Sequence, residues 1–160
     1  MRHNNRLTVA VLVIAGLQLS GCQRGSGKVE AEHPAQVTRI EGTEQSSVTL
    51  TEKAIQRLGL KTDQIREEQV TRKRVVGAAI ASPASGTKRK VAPYSALIYD
   101  ARGQTWVYTS PKARTFVRHE VEVDFIQGDV AVLKDGPPTG TVVASVGVAE
   151  LYGAEFKVGH

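Results

Sequence analysis

Side chains of the types that perform catalysis or bind metal ions are few in this sequence. It has four histidines, one cysteine and one methionine. It lacks the Gly-x-Ser-x-Gly, His-Glu-x-x-His, Cys-x-x-Cys and phosphate-loop motifs that position a nucleophile, a zinc ion or a phosphate. His119 lies in a run of alternating apolar residues, where we expect a hydrogen-bonded, partly buried side chain. The sequence therefore predicts no catalytic residue, no metal site and no cofactor, and an enzyme is the least favoured function class.

The single cysteine stands at the end of a distinctive N-terminal segment. Residues 1–21 begin with Arg2 and Arg6 and continue in an apolar run that is shorter than the roughly 20 residues of a membrane-spanning helix, which is typical of an export signal. The run ends in Leu19-Ser20-Gly21-Cys22, which resembles the lipobox of bacterial lipoproteins. The resemblance implies that the signal is cleaved before Cys22 and that this thiol carries lipid. The alternative is an ordinary export signal followed by a buried cysteine.

Residues 22–45 mix Gly, Ser, Glu, Lys, His and Pro with few apolar side chains, which is typical of a flexible tether. Two or three acyl chains such as palmitate would hold such a tether at a membrane, because each buried methylene contributes about 0.8 kcal/mol. We expect the folded domain to span residues 46–160. Without a second cysteine it has no internal disulfide and depends on its hydrophobic core.

The charge balance is mildly basic, at a formal +5. Without Arg2 and Arg6, 19 of the 21 basic residues remain against 16 acidic ones, which is too weak an excess to predict nucleic-acid binding. Two basic runs flank one connection, and together they would form a patch for anionic head groups or an acidic partner. The alternative is two solvated strand ends. The residues of this predicted basic patch are Arg72, Lys73, Arg74, Lys88, Arg89 and Lys90.

Short β-branched and aromatic runs, punctuated by Gly, Asp or Pro, predict consecutive antiparallel strands from Val91 to Gly153. One short helix is predicted after Thr51, whose hydroxyl can cap it, and Gly59 can end it in a left-handed conformation. The predicted fold is mainly β, a small antiparallel β-roll or barrel with one short α-helix.

The residues from Thr115 to Phe125 are interpreted as one strand with buried odd positions and solvated even positions, including Arg118. The predicted core consists of Ile55, Leu58, Trp106, Val121, Val123, Phe125, Val132 and Val143.

Several short motifs follow one another in a fixed order: Val91-x-Pro93-x-x-Ala96-Leu97, Trp106-Val107-Tyr108, Val121-x-Val123, Gly128-Asp129, Val132-Leu133-x-x-Gly136 and Val142-Val143. Their order and spacing resemble the C-terminal end of periplasmic adaptor subunits, the membrane fusion proteins of tripartite RND-type efflux pumps. Gly59-Leu60-Lys61-Thr62 and Val75-Val76-Gly77 resemble the start of the mature adaptors.

Full adaptors carry a lipoyl-like domain, a long helical hairpin and a β-barrel between these two parts. Here a turn-rich loop over residues 81–90 is expected to join them directly. The resemblance therefore implies a stand-alone membrane-proximal domain without the hairpin that reaches an outer-membrane channel. Adaptors sit on the inner membrane, whereas Gln23, in place of the Asp that resembles an inner-membrane retention signal, favours the outer membrane.

The function expected from this resemblance is that of a periplasm-facing lipoprotein, anchored through Cys22, that acts as an accessory component of a membrane transport complex. Its partners would be membrane lipid and an inner-membrane RND transporter or a full-length adaptor. The alternative is a stand-alone envelope lipoprotein that binds a small ligand or lipid, which requires an apolar concavity. A third possibility is an eroded adaptor without a retained role.

Overall fold

The computed structural model describes residues 33–71, the backbone of residues 75–76 and 79–80, and residues 86–157. The strands are β1 (Ala35–Arg39), β2 (Ser46–Leu50), β3 (Lys61–Gln64), β4 (Arg66–Val70), β5 (Val75–Val76), β6 (Ala79–Ile80), β7 (Thr87–Pro93), β8 (Ile98–Tyr99), β9 (Thr105–Lys112), β10 (Thr115–Glu120), β11 (Glu122–Gln127), β12 (Val130–Asp135) and β13 (Val142–Val146). The helices are α1 (Glu52–Leu58) and α2 (Val148–Phe156), and Tyr94–Ala96 forms one 3-10 turn.

The strands form two main sheets in which neighbours run antiparallel. The larger sheet has the order β1-β2-β10-β9-β13-β3, with β8 paired to β9, and the smaller has the order β11-β12-β7-β4. β5 and β6 form a separate two-stranded sheet. The mainly β, antiparallel fold class predicted from the sequence is confirmed.

The larger sheet is the middle of three layers. On one face Tyr108 of β9 packs with Leu151 of α2, in a cluster that also contains Ala54 of α1. On the other face Val107 packs with Ala92 and Leu133 of the smaller sheet. Because both faces of β9 are covered, two consecutive residues of one strand are fully buried.

Helix α1 has the ends predicted from its sequence. The Thr51 hydroxyl accepts a hydrogen bond from the Ala54 amide at 3.2 Å, which satisfies one of the free amides of the first turn. Gly59 ends the helix in the left-handed region, with φ of 58°, where a side chain would be strained. The prediction of a helix at this place is confirmed.

The prediction of a single helix is wrong, because Ala149 to Gly153, predicted as a strand, lie in helix α2. Val148, Leu151 and Glu155 are buried on one face of the helix. Their spacing of three and four residues is helical, but the third of them is the acidic Glu155, so the sequence shows no continuous apolar stripe there.

The region from Thr115 to Phe125 was also predicted incorrectly, since it is two strands in two different sheets rather than one. The buried Val121 lies between them, and β10 turns Phe116 and Arg118 towards the helices. His119 is exposed rather than partly buried. The even positions of β10 can be buried because Glu155 of α2 provides a counter-charge for Arg118. Hydrophobic alternation alone does not reveal this ion pair.

The predicted core is correct for Val121, Val132 and Val143, which are 4% exposed or less. The other five predicted core residues are only half-buried; they are Ile55, Leu58, Trp106, Val123 and Phe125.

Two predicted boundaries also change. Order begins before Ser46, because β1 pairs with β2 along its whole length, so the predicted tether can at most reach residue 34. The predicted loop 81–90 overlaps β7, whose hydrogen bonds to β4 hold Thr87 to Lys90 in extended conformation. Residues 81–85 lie outside the described part.

Candidate functional site

Much of the site predicted from the sequence lies outside the described residues. This applies to Leu19, Ser20, Gly21 and Cys22 and to Arg72, Lys73 and Arg74. Lipidation and one half of the predicted basic patch therefore stay predictions. The other half, Lys88, Arg89 and Lys90, is described.

Strand β7 places two of these three residues beside acidic residues, whereas Lys88 lies opposite Gln69. Its register sets Lys90 opposite Glu67 and Arg89 opposite Glu68 of β4. Arg89 also forms an ion pair with Asp124, with 2.8 Å between Nη2 and Oδ2. The positive charge of this run is therefore partly balanced within the domain.

Lys90 has a structural contact of its own. Its Nζ donates to the carbonyl oxygens of Gly136 and Pro137, at 2.8 and 3.3 Å. Lys88 is exposed, whereas Arg89 and Lys90 are half-buried. Of the described run, Lys88 is thus the residue most available to a partner.

An open cleft of about 590 Å³, which we call the α2 cleft, is the site where polar and aromatic side chains of several elements meet. Trp106 of β9 and Tyr152 and Phe156 of α2 supply its aromatic wall, and Arg118 of β10 also lines it. The turn between β1 and β2 and the turn between β8 and β9 close two of its sides.

Asp100 organises the turn between β8 and β9. Its carboxylate accepts hydrogen bonds from the amides of Arg102 and Gln104, both at 2.9 Å, and from the Trp106 indole nitrogen at 3.1 Å. Burial acts to raise the pKa of Asp100, but these hydrogen bonds outweigh it and hold the pKa below its usual value. The ionised carboxylate therefore fixes the orientation of the Trp106 ring.

Arg118, Glu155 and Tyr108 form an ionic cluster beneath the α2 cleft. Arg118 Nε lies 3.0 and 2.9 Å from the two carboxylate oxygens of Glu155, and the Tyr108 hydroxyl donates to the same carboxylate at 2.6 Å. The Arg118 and Glu155 side chains are only 10% and 3% exposed. Burial, followed by the hydrogen bond to Glu155, raises the pKa of the Tyr108 phenol far above its usual value, so the phenol remains a donor.

The Arg118 guanidinium is also stacked by aromatic rings. Its Cζ lies 4.5 Å from the centre of the Trp106 ring and 4.8 Å from that of Phe156. Cation–π contacts of this kind favour a fixed guanidinium plane. The carboxylate and the two rings together therefore position one arginine at the base of the cleft.

Sequence reasoning missed this arrangement, because Arg118 and Glu155 are 37 residues apart and α2 was assigned to a strand. One local signal was present. Asp100 followed by Gly103 is typical of a turn in which the aspartate side chain caps nearby amides.

A second concave surface, which we call the tether-side cleft, lies where the described chain begins. Its volume is about 1020 Å³, and His33, Arg114 and Lys157 are among its lining residues. Within the described ranges, neither Arg114 nor Lys157 forms a side-chain ion pair. This cleft therefore presents two available cations.

The described residues contain no group of three or more His, Cys, Asp or Glu side chains placed to hold a metal ion. In the same part of the chain, no helix has the length and apolar character needed to cross a membrane.

Comparison with known proteins gives no assignment. No model of a known protein family matches the sequence, and no curated protein matches it.

Proposed function

We propose that this protein is a periplasm-facing lipoprotein, anchored through Cys22, that is related to efflux-pump adaptors and acts as an accessory component of a membrane transport complex. The proposal combines the chemistry of the Leu19-Ser20-Gly21-Cys22 segment with the way in which the two halves of the domain are joined. The proposed role includes no bridge to an outer-membrane channel, since residues 1–160 have no long heptad pattern of a helical hairpin that would support one.

The observation that supports it best is the pairing of β4 with β7. The register runs from Arg66 opposite Val91 to Val70 opposite Thr87, so residues 71–86 leave and rejoin the sheet at neighbouring strand ends. Such a hairpin end is a place where a chain can gain or lose a large insertion with little change to the sheet. Adaptors carry their lipoyl-like and barrel domains at the corresponding place in the sequence.

The mixed origin of the larger sheet agrees with this interpretation. β2 pairs with β10 and β3 pairs with β13, so strands from before and after residues 71–86 form one sheet. A membrane-proximal adaptor domain is likewise built from both ends of its chain.

The mechanism would be tethering. The roughly ten residues between Cys22 and His33 span at most about 40 Å when fully extended. An anchored domain is thereby confined near the membrane, which raises its effective concentration for a partner in the same membrane. Arg114 and Lys157 of the tether-side cleft would add about 1 kcal/mol each beside anionic lipid.

The test is a crosslinked affinity purification of the lipidated full chain from its native membranes, with Cys22→Ser as the matched control. We expect an inner-membrane transporter or a full-length adaptor to co-purify with the wild type and to be lost with the variant. If only lipid is recovered with the wild type, the accessory role is wrong, even though the anchor is present.

A further inference from the structure

Arg118 retains hydrogen-bonding capacity that the domain does not use. Its Nε is bound to Glu155, and among the described residues its terminal nitrogens Nη1 and Nη2 form no hydrogen bond. In that part of the chain, every fully buried side-chain nitrogen or oxygen has a hydrogen-bond partner. Because these two nitrogens have none, they are partly exposed to solvent. Because Arg118 lines the α2 cleft, the small exposed part of its side chain is open to that cleft.

The charges around the cleft are close to balanced. Arg118 is neutralised by Glu155, and Arg39 forms an ion pair with Glu44 on the rim. The remaining charges on the lining are those of Asp100 and Arg102, which are opposite. There is therefore no excess of positive charge to draw an anion to Arg118, and no excess of negative charge to draw a cation to the aromatic wall.

From these features we infer that the α2 cleft binds an uncharged small molecule with an aromatic body and a carbonyl oxygen. The body would stack on the rings of Trp106, Tyr152 and Phe156, and the oxygen would accept hydrogen bonds from the terminal nitrogens of Arg118. The volume of about 590 Å³ lies within the range of small-molecule sites. This site does not depend on the membrane anchor or on a transporter partner.

Trp106 makes the inference directly measurable. It is the single tryptophan, so its indole N–H gives one NMR signal, and that group lies in the cleft and donates to Asp100. The full chain carrying Cys22→Ser, which prevents lipidation, would be titrated with three probes that share a naphthalene body. These are naphthalene-1-acetamide, naphthalene-1-acetate and 1-naphthylmethylammonium, which are neutral, anionic and cationic.

We expect the amide to shift the Trp106 indole signal in a saturable way and to bind at least about fivefold more tightly than either charged probe. Arg118→Lys keeps the positive charge beside Glu155 but removes the planar fork, and should weaken binding of the amide about tenfold. Phe156→Ala removes an exposed part of the aromatic wall and should weaken binding at least about threefold.

Ile126→Ala is the matched control, because Ile126 is 42% exposed against 45% for Phe156, lies on β11 and is not among the residues that line the cleft. This variant should bind the amide like the parent chain. Equal affinity for all three probes, tighter binding of the acetate, or no loss of affinity in Phe156→Ala would each overturn the inference. If Arg118→Lys does not fold, the comparison of Phe156→Ala with Ile126→Ala decides alone.

Discussion

Replacing Glu155 by Gln removes the counter-charge of a guanidinium that is nine-tenths buried. The amide keeps the size of the side chain and can still accept the hydrogen bond from Tyr108. Loss of one partner of a buried ion pair costs about 3–5 kcal/mol, and the opening of Arg118 to the α2 cleft reduces this to about 2–3 kcal/mol. That loss is a large fraction of the roughly 5–15 kcal/mol that stabilises a typical domain.

Urea unfolding followed by Trp106 fluorescence measures this loss, since the indole ring is in contact with Arg118. With a slope of about 1.5 kcal/mol per molar urea, the midpoint of Glu155→Gln should fall by about 1.3–2 M. Adding Arg118→Met to Glu155→Gln should recover much of the loss, because the double variant buries no unpaired charge.

Glu44→Gln provides the control, as Glu44 pairs with Arg39 at a site where both side chains are more than 70% exposed. This change should not be measurable. The reasoning fails if Glu155→Gln shifts the midpoint no more than Glu44→Gln does, or if Arg118→Met destabilises the Glu155→Gln protein further.

Three further predictions concern Tyr108, Gly136 and the tether-side cleft. Because the raised pKa of Tyr108 keeps its phenol protonated in the folded state, the free energy of unfolding should fall as the pH rises above about 10, where the unfolded phenol ionises. Over the same pH range, the urea midpoint of Tyr108→Phe should fall less than that of the parent chain. Gly136→Ala should cost about 1–3 kcal/mol in urea unfolding, because φ at Gly136 is 154° and a Cβ there would lie 3.0 Å from a valine methyl; an unchanged midpoint would contradict this. Reversing the charges of Arg114 and Lys157 to Glu should weaken the binding of the Cys22→Ser chain to anionic vesicles, measured by co-sedimentation, at least about tenfold. Lys61→Glu, on the exposed edge strand β3, should not weaken this binding.

The elements predicted correctly from the sequence are those whose signals are local. Helix α1 has its capping threonine and its terminating glycine within nine residues, and both act as predicted. The turn at Gly128 and Asp129 is likewise specified by its own residues, and the structure has it there. Such signals do not depend on what packs against the element.

The elements that were missed depend on contacts distant in the sequence. The residues from Thr115 to Phe125 were interpreted as one strand with buried odd positions, but β10 buries its even positions Phe116 and Arg118 against the helices. A buried arginine cannot be distinguished from a solvated one until Glu155 is known to lie on a helix beside it. The α2 cleft could therefore not be predicted, whereas the candidate lipidation site, which depends on four adjacent residues, could.

The most direct test of the proposed anchoring is fatty-acid labelling at Cys22. Cells producing the full chain would be fed an alkyne analogue of palmitate, and the label and the membrane-bound fraction would be measured for the wild type and for Cys22→Ser. We predict that the wild type is labelled and floats with membranes, and that Cys22→Ser is unlabelled and no longer floats. An unlabelled wild type, or a Cys22→Ser protein that is labelled or floats equally well, would contradict the proposal.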